Sequence, residues 1–487
     1  MTTALEFNNL VGGQWADSST GSRLEVTNPA DWREVVASVP AMAPADVQAT
    51  IATAEVAARS WRRAGRLERA GVLAACAGLL RQRADAIATD LVREMGKTIG
   101  EARVEVAKSA DFFDFYASLA RWPYGYLTAD ARPGTQTSVR REPIGVVVAI
   151  TPWNDPLLTP ARKLAPSLAA GNAVLLKPAL ETPVVALHLA RALVDAGLPP
   201  GVLNTVTGET SVIAGPLLLD PRLAAVTFTG STAVGRHLRR LLGDSNVRLQ
   251  TEMGGKNPSV VLADADLDLA AATIVAAALG QAGERCTATS RVIAEQAVAA
   301  ELTERLVGLA AACRLGPGLA EGTTMGPLVS SEHREAVLGH IAQAEHDGAR
   351  VLAGGRAPQG DQFAYGHFVE PTIMTAVTPD MAIWRNEVFG PVFTVTEVAD
   401  FEQAVAAAND SGYGLAAAVF TRDLERAHRF IDEVDAGQVS VNLPTSGWDV
   451  HHPFGGFGDS GSPFKEQGLE GLQFYTRVKT AAIRFGR

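Results

Sequence analysis

The sequence predicts an α/β fold in which parallel sheets carry helices on both faces, and three features of the chain indicate it. Short apolar runs rich in β-branched residues alternate with helical segments from residue 144 onward. A helical stretch (44–120) precedes them, and a segment with alternating polar residues (122–141) lies between. The 487 residues are enough for roughly two to four domains of about 100–200 residues each. Such alternation of strands and helices is typical of doubly wound α/β proteins.

The helical part is predicted to begin at Pro44, because proline suits the first turn of a helix, and to run through Ala58. Apolar residues at helical spacing predict further helices over Leu67–Arg83, Asp85–Thr98 and Ile99–Leu119. Residues 122–141 contain proline, glycine and an alternating stretch, which predicts an extended hairpin or arm.

The β-α-β pattern forms two successive segments. Apolar runs without alternation are typical of strands buried on both faces. In the first segment we predict strands over 145–150, 173–177, 204–206 and 224–228, with helices within 157–170, 182–196, 211–219 and 235–242. In the second we predict strands near 259–262, 291–294, 393–396 and 417–421, with helices over 298–313 and 331–347. The tail (472–485) alternates like an edge strand.

Composition limits the classes of function. An apolar content of 47% and a charged content of 20% are typical of a soluble globular protein. The net charge of −10 argues against nucleic acid or an anionic membrane as the main partner. Three scattered cysteines, without metal-ligand spacing, predict a cytoplasmic protein with neither a disulfide framework nor a zinc site. The sequence shows neither a signal peptide nor an apolar run long enough to span a membrane.

Cys286 differs from the other two cysteines in its surroundings. Cys76 and Cys313 lie in apolar helical segments, where cysteine acts as a small hydrophobic residue. Cys286 lies in a polar, glycine-rich loop directly after Arg285, and a nearby cation favours the thiolate that a nucleophile needs. Cys286 is therefore a candidate nucleophile, with an ordinary loop cysteine as the alternative.

Four other segments carry functional residue types, the first three of them at the ends of predicted strands, and each has a structural alternative. Asn154 could donate to an oxyanion, or belong to a plain turn. Lys177 suits a ribose hydroxyl or a phosphate, or is simply solvated. The Gly230-Ser231 turn offers free N–H groups to a pyrophosphate, or only caps a helix. Glu252, beside two glycines, is a candidate general base or part of a surface turn.

Taken together, the order and spacing of seven motifs resemble the aldehyde dehydrogenase superfamily. The motifs are Pro-Trp-Asn (152–154), Lys-Pro-Ala (177–179), Phe-Thr-Gly-Ser-Thr (228–232), Glu-x-Gly-Gly-Lys-Asn-Pro (252–258), Gly-x-Arg-Cys-Thr (283–287), Asn-Glu-Val-Phe-Gly-Pro (386–391) and Pro-Phe-Gly-Gly (453–456). The resemblance extends from Asn8 to the C-terminal strand. It implies a Rossmann-like dinucleotide-binding domain (1–122 and 145–252), an α/β catalytic domain (253–459) and a β oligomerisation arm (123–144 and 460–487).

The resemblance also implies a covalent mechanism. Cys286 would add to the aldehyde to form a thiohemiacetal, whose oxyanion is held by Asn154 and the backbone N–H of the cysteine. After hydride transfer, Glu252 would activate the water that hydrolyses the thioester, so that one difficult step becomes two easier ones. Lys163 and Glu466 match a family pair with a proposed role in proton relay, and a buried structural ion pair is the alternative.

Nicotinamide dinucleotide is the implied cofactor. The residues on family positions for it are Trp153, Lys177, Gly230, Ser231, Glu387 and Phe389. Relatives that favour NAD often carry a glutamate three residues after the lysine, where this chain has Leu180, with Glu181 one residue later. Loss of that carboxylate removes both an acceptor for the ribose 2′-hydroxyl and a repulsion against a 2′-phosphate. We therefore expect NADP to be accepted as well as NAD.

Two features indicate different aldehydes. Arg162 matches an arginine with which semialdehyde-oxidising relatives hold a distal carboxylate, and a structural ion pair is the alternative. Arg285 also suits an anionic substrate, or points away from the site. The segments 286–291 and 441–445 resemble α-ketoglutarate semialdehyde dehydrogenases. Trp448, in the loop 446–452, favours instead an aromatic aldehyde of the vanillin or benzaldehyde type, or a tetramer contact.

Other members of the superfamily offer two further alternatives. One is a structural relative without activity, against which the presence of Cys286, Glu252 and Asn154 argues. The other is a CoA-dependent acylating enzyme, against which Glu252 argues because it favours hydrolysis of the thioester. The predicted arm would bury sheet edges between chains, so a homodimer or homotetramer is expected.

Overall fold

A computed structural model describes residues 5–485. Within these residues, the N-terminal region contains five short strands followed by four long helices. The sequence pattern predicts the helices but none of these strands. Its elements are β1 (Leu5–Glu6), β2 (Asn9–Val11), β3 (Gln14–Ala16), β4 (Arg23–Asn28), β5 (Asp31–Pro40), α1 (Pro44–Trp61), α2 (Arg66–Gln82), α3 (Ala84–Met95) and α4 (Ile99–Ser118). Two antiparallel strands follow, β6 (Gly125–Thr128) and β7 (Thr135–Pro143).

The first α/β segment forms a parallel sheet with the order β10-β9-β8-β11-β12. Its elements are β8 (Val146–Ile150), α5 (Leu158–Ala170), β9 (Ala173–Lys177), α6 (Val184–Asp195), β10 (Leu203–Thr205), α7 (Thr210–Leu218), β11 (Leu223–Thr229), α8 (Thr232–Leu242) and β12 (Arg248–Glu252). Apolar side chains fill both faces: α2 to α6 cover one, and α1, α7 and α8 cover the other. Strands buried on both faces explain the continuous apolar runs in the sequence.

Strand register aligns the carboxyl ends of this sheet. Ile150 pairs with Lys177 on β9 and with Phe228 on β11, and Thr229 pairs with Glu252 on β12. Because all four strands run parallel, the loops that follow them share one edge, which is where ligands bind in open α/β sheets.

The second segment forms a sheet with the order β15-β16-β17-β14-β13-β19-β20, parallel except for β15. The remaining elements are β13 (Asn257–Val261), α9 (Leu267–Leu279), β14 (Thr289–Glu295), α10 (Gln296–Ala311), α11 (Ser331–His346), β15 (Arg350–Ala353), β16 (Thr372–Thr375), α12 (Ala382–Arg385), β17 (Val392–Val398), α13 (Phe401–Asn409), β18 (Tyr413–Gly414), β19 (Ala416–Phe420), α14 (Leu424–Glu433), β20 (Gln438–Val441), β21 (Phe457–Gly458), α15 (Gly468–Phe474) and β22 (Thr476–Arg484).

The C-terminal strand β22 pairs antiparallel with β7 from Thr476 opposite Pro143 to Arg484 opposite Thr135. With β6 this makes a sheet in which Tyr126 and Ile483 are exposed. The division into domains and the role of this sheet in oligomerisation stay predictions.

Three predicted boundaries are wrong, each for a local reason. Helix α3 ends at Met95, not Thr98, because Gly96 adopts a left-handed conformation (φ 95°). Helix α8 begins at Thr232, not Gly235, because Ser231 caps it by accepting the N–H of Val234. The first residues of the predicted tail strand belong to α15, and β22 starts only at Thr476. Within the described residues, no helix has the length and apolarity needed to cross a membrane.

Candidate active site

A cavity of about 560 Å³ opens at the carboxyl ends of the first sheet and reaches the loop before β14. Many of the residues singled out from the sequence border it, namely Trp153, Asn154, Arg162, Gly230, Ser231, Arg285, Cys286, Glu387, Phe389 and Trp448. Five others do not: Lys163, Lys177, Leu180, Glu252 and Glu466. In the described part of the chain, no cluster of three or more His, Cys, Asp or Glu side chains could hold a metal ion.

The loop of Cys286 is held close to Asn154. The side-chain amide of Asn154 donates to the main-chain oxygen of Glu284 at 2.9 Å. Two non-glycine residues of this loop, Gln281 and Ala282, have left-handed backbones (φ 52° and 53°), which is uncommon and costly. The tertiary contacts of the loop therefore fix the direction in which Cys286 faces the cavity.

The thiol of Cys286 is partly exposed and needs help to ionise. Burial raises its pKa to about 12, while the positive charge of Arg162 lowers it. Arg285 donates through Nε to the Gln281 side chain. Arg162, rather than Arg285, is the cation with the largest effect on the pKa of the thiol, and the effect of Arg285 stays a prediction.

Glu252, at the end of β12, is buried behind the cavity wall. Neither of its carboxylate oxygens has a hydrogen-bond partner among the described residues. Burial, followed by the charge of Glu466, raises its pKa well above the ordinary value. Its Oε1 lies against Gly455, where a Cβ atom would approach it to 2.4 Å. An unpaired buried carboxyl of this kind is suited to take up a proton.

Lys163 and Glu466 form a buried ion pair. Lys163, on α5, also donates to the Thr227 hydroxyl at 2.9 Å, and burial lowers its pKa. The Glu466 main chain bridges to Phe454 of the Pro-Phe-Gly-Gly motif. This geometry fits either a relay or a structural pair, so both interpretations stay open.

Lys177 and Leu180, two of the residues predicted to bind the cofactor, lie apart from the cavity. Lys177, at the end of β9, is buried rather than solvated, and its Nζ donates to the Pro178 carbonyl at 3.3 Å. Burial lowers its pKa, which the negative charge of nearby Glu181 partly offsets. A carboxylate therefore remains close to Lys177, although Leu180 replaces it at the expected position.

The other cofactor residues lie together and fit a dinucleotide. Ser231 caps α8 and borders the cavity together with Gly230, so the N-terminus of α8, with its unpaired N–H groups, lies at the cavity edge. Glu387 accepts the Gly255 N–H at 3.0 Å, and burial raises its pKa to about 7. The rings of Trp153 and Phe389 meet edge to face at 5.3 Å and form an apolar wall.

His333 is a residue at this wall that the sequence analysis missed. Its ring lies 5.1 Å from that of Trp153, and its Nε2 is 2.7 Å from the main-chain oxygen of Phe389. Phe389 has a left-handed backbone (φ 57°), so this bond stabilises an uncommon conformation. A single histidine in a polar helix start carries no sequence signal for this contact.

The far end of the cavity combines cations with aromatic rings. Arg162 lies over the Phe454 ring at 4.5 Å and 3.5 Å from Glu466, and its buried Nε has no partner among the described residues. Trp448 donates to the Thr445 carbonyl at 3.3 Å. Lys108 and Phe112 of α4 border the same space. The features predicted for the two substrate classes thus share one cavity.

Residues 15–481 match the model of the aldehyde dehydrogenase family. The chain belongs to this family. It is 44% identical over 473 residues to an alpha-ketoglutarate semialdehyde dehydrogenase of Haloferax volcanii, which covers 97% of this chain and 98% of that protein. A 2,5-dioxopentanoate dehydrogenase of Saccharolobus solfataricus is 38% identical over 96% of this chain and 97% of its own length.

Solved structures show the same fold in aldehyde dehydrogenases. The betaine aldehyde dehydrogenase of Staphylococcus aureus in complex with NAD+ superposes with a TM-score of 0.96 at 31% identity, covering 99% of this chain and 95% of that chain. As an aldehyde dehydrogenase, the protein is an oxidoreductase that acts on aldehydes. The family, the fold class and the enzyme class predicted from the sequence are confirmed.

Proposed function

We propose that this aldehyde dehydrogenase oxidises a small semialdehyde that carries a carboxylate, of the α-ketoglutarate semialdehyde type, to the dicarboxylic acid. The observation that carries the proposal is that Arg162 and Arg285 border the same cavity as Cys286. The guanidinium group of Arg162 borders the cavity, and such a group binds a carboxylate through two parallel hydrogen bonds. Two curated relatives are named for this same substrate, since 2,5-dioxopentanoate is α-ketoglutarate semialdehyde.

The chemistry begins at the Cys286 sulfur, which forms a bond to the aldehyde carbon while the thiol proton leaves to solvent. The second N–H of the Asn154 amide, together with the Cys286 backbone N–H, donates to the oxyanion of the thiohemiacetal. The nicotinamide dinucleotide, when bound, accepts the hydride that leaves this carbon. Collapse of the oxyanion then yields a thioester on Cys286.

Glu252 completes the cycle by taking a proton from the water that attacks the thioester, which releases the acid and restores the thiol. Its carboxylate lies against Gly455 in the structure and is buried behind the cavity. We infer that it turns toward Cys286 for this step. Its unpaired oxygens lose no hydrogen bond in doing so.

NAD and NADP are the proposed cofactors. The support is the grouping of Ser231, Glu387, Trp153 and Phe389 at one wall, together with the NAD+ complex of the S. aureus relative. Acceptance of NADP rests on Leu180, and the nearby Glu181 carboxylate limits the expected preference.

An aromatic aldehyde is the second candidate, because Phe112, Trp153, Trp448 and Phe454 also border the cavity. A panel of α-ketoglutarate semialdehyde, succinate semialdehyde, benzaldehyde, vanillin and propionaldehyde, assayed with each cofactor, separates the candidates. We expect the highest kcat/KM for the two semialdehydes. A higher value for benzaldehyde or vanillin would overturn the substrate proposal.

Arg162→Gln provides the matched test within the chain. We expect kcat/KM for the best semialdehyde to fall about tenfold more than kcat/KM for propionaldehyde, whose loss measures only the effect of the Arg162 charge on the Cys286 thiol. Equal losses with both aldehydes would instead limit Arg162 to its effect on the thiol and its ion pair with Glu466. A separate assay with added CoA tests the fate of the thioester. Release of the free acid supports hydrolysis, whereas formation of acyl-CoA would place the enzyme in the acylating branch.

A further inference from the structure

Lys97 is a fully buried cation beside the loop that carries Asn154. It lies in the turn between α3 and α4. Its Nζ donates to the main-chain oxygen of Asn154 at 2.8 Å, pairs with the Glu105 carboxylate and lies 3.3 Å from Asp155. These three acceptors meet the three N–H donors of the ammonium group.

Glu105 extends the contact to the residues just after Asn154. One of its oxygens accepts the backbone N–H groups of Leu157 and Leu158, at 2.9 and 3.0 Å. Both N–H groups belong to the start of α5, where no helical carbonyl can receive them. Lys97 and Glu105 together therefore fix both ends of the short loop 154–158.

The start of α4 and the loop before α5 also support the loop of Cys286. Glu101 accepts the backbone N–H of Gln281 at 2.6 Å, and Asp155 accepts its side-chain amide at 2.8 Å. Gln281 is one of the left-handed residues before the cysteine, and such a backbone persists only when its surroundings hold it. The two loops that face the reacting carbon thus rest on one buried network.

The network balances its charges. Burial lowers the pKa of Lys97, but Glu105 and Asp155 raise it by more, so that Lys97 stays a cation. Burial would raise the pKa of Asp155, yet the charges of Lys97 and Arg285 bring it below the ordinary value. Without Lys97, the buried carboxylates of Glu105 and Asp155 would lack their main counter-charge.

We propose that Lys97 is a positioning residue, which holds Asn154 against the Cys286 loop so that the amide of Asn154 faces the reacting carbonyl. The inference rests on the proposed role of Asn154 as an oxyanion donor. Removal of Lys97 deprives the Asn154 carbonyl of its donor and lets the loop 154–158 move. The loss should therefore appear in the step that forms the oxyanion.

A double-mutant cycle tests this with the holoenzyme and the best aldehyde of the panel. The readout is the rate constant of the first turnover, measured as NADH formation by rapid mixing. Asn154→Ala should slow it about 10²–10³-fold. Lys97→Met should slow it about 10–100-fold, with KM for the aldehyde changed less than about threefold. The double variant should be no slower than Asn154→Ala, because Lys97 acts through Asn154.

Arg69→Met is the matched control. Arg69 is also a buried cation that donates to main-chain oxygens, those of Ala64 and Ala169, and Ala169 lies at the other end of α5. We expect this variant to have a lower Tm and an unchanged first-turnover rate. If Lys97→Met does not fold, Lys97→Gln, whose amide NH2 group can still donate hydrogen bonds, replaces it in the same cycle.

The outcomes separate the inference from the function on which it rests. A wild-type rate for Asn154→Ala would overturn the proposed role of Asn154. A slow Asn154→Ala with a fast Lys97 variant, or with losses that multiply in the double variant, would overturn the role of Lys97. An equal loss of rate in Arg69→Met would overturn it too, since stability alone would then explain the effect.

Discussion

The amide nitrogen of Asn154 lies 2.9 Å from the main-chain oxygen of Glu284, two residues before Cys286. This bond joins the loop after β8 to the loop before β14, although 130 residues separate them in the chain. It uses one of the two N–H groups of the amide. In the proposed mechanism, the other donates to the oxygen of a substrate bound to the cysteine.

Glu252→Gln should separate the two halves of the reaction. Glutamine keeps the volume and neither oxygen of Glu252 has a partner to lose, so the fold should persist. Formation of the thioester should continue while its hydrolysis stops, since glutamine cannot take a proton. Rapid mixing should give about one NADH per site and then slow turnover, with an acyl group on Cys286 in the mass spectrum. A steady rate near that of the wild type would contradict the role of Glu252.

The pH dependence of kcat should follow the raised pKa of Glu252. Burial and the Glu466 charge hold its proton to a pH well above the ordinary range. The carboxylate that acts as base therefore forms only as the pH rises through this value, and kcat should rise with it. In Glu252→Gln, in which hydrolysis stops, kcat should no longer rise with pH. A hydrolysis rate that does not change with pH in the wild-type enzyme would contradict the assignment of Glu252 as the base.

Glu387 should make stability depend on pH in a defined window. Its pKa is raised from 4.5 to about 7, so the folded state keeps a proton that the unfolded state releases. Stability from this group is therefore present below pH 4.5 and lost as the pH rises toward 7. Urea unfolding should show that Glu387→Gln gains stability over the wild type across this window and matches it below. A constant difference at all pH values would contradict this linkage.

Gly455→Ala should damage both stability and activity. The glycine has a φ of 146°, and a Cβ atom would come within 2.4 Å of Oε1 of Glu252. We expect the free energy of unfolding to fall by about 1–3 kcal/mol and kcat to fall at least tenfold, because the methyl group displaces Glu252.

Gly197→Ala is the control for backbone strain alone, since Gly197 has a φ of 89° and nothing within 4 Å of the added Cβ. It should lose about 1–2 kcal/mol with kcat unchanged. Equal kcat values for the two variants would contradict the specific effect on Glu252.

Leu180→Glu should shift the cofactor preference. A carboxylate there would accept a bond from the 2′-hydroxyl of NAD and repel the 2′-phosphate of NADP. We expect kcat/KM for NADP to fall at least tenfold while that for NAD stays equal or rises. Initial rates with each cofactor measure the ratio, and Glu181→Gln should change it in the opposite direction. Negligible NADP turnover by the wild type would overturn the predicted acceptance.

Much of the fold was predictable because its strands are buried on both faces. The runs at β8, β9 and β11 consist of apolar, often β-branched residues that suit no other environment. The strands β1 to β5 were missed, because they are short and depend on pairing with partners far along the chain.

The sequence by itself determined the family and the enzyme class, because its motifs follow one another in a fixed order. It also predicted many of the residues that border the cavity, although Lys163, Lys177, Leu180, Glu252 and Glu466 lie apart from it. Only the tertiary structure decided which charges act on them. In the folded chain, Arg162 rather than Arg285 is the cation that most lowers the pKa of the Cys286 thiol. Lys97, far from Asn154 in the sequence, donates to the carbonyl of Asn154. Electrostatic effects depend on distance and burial in space, and neighbours along the chain do not reveal either.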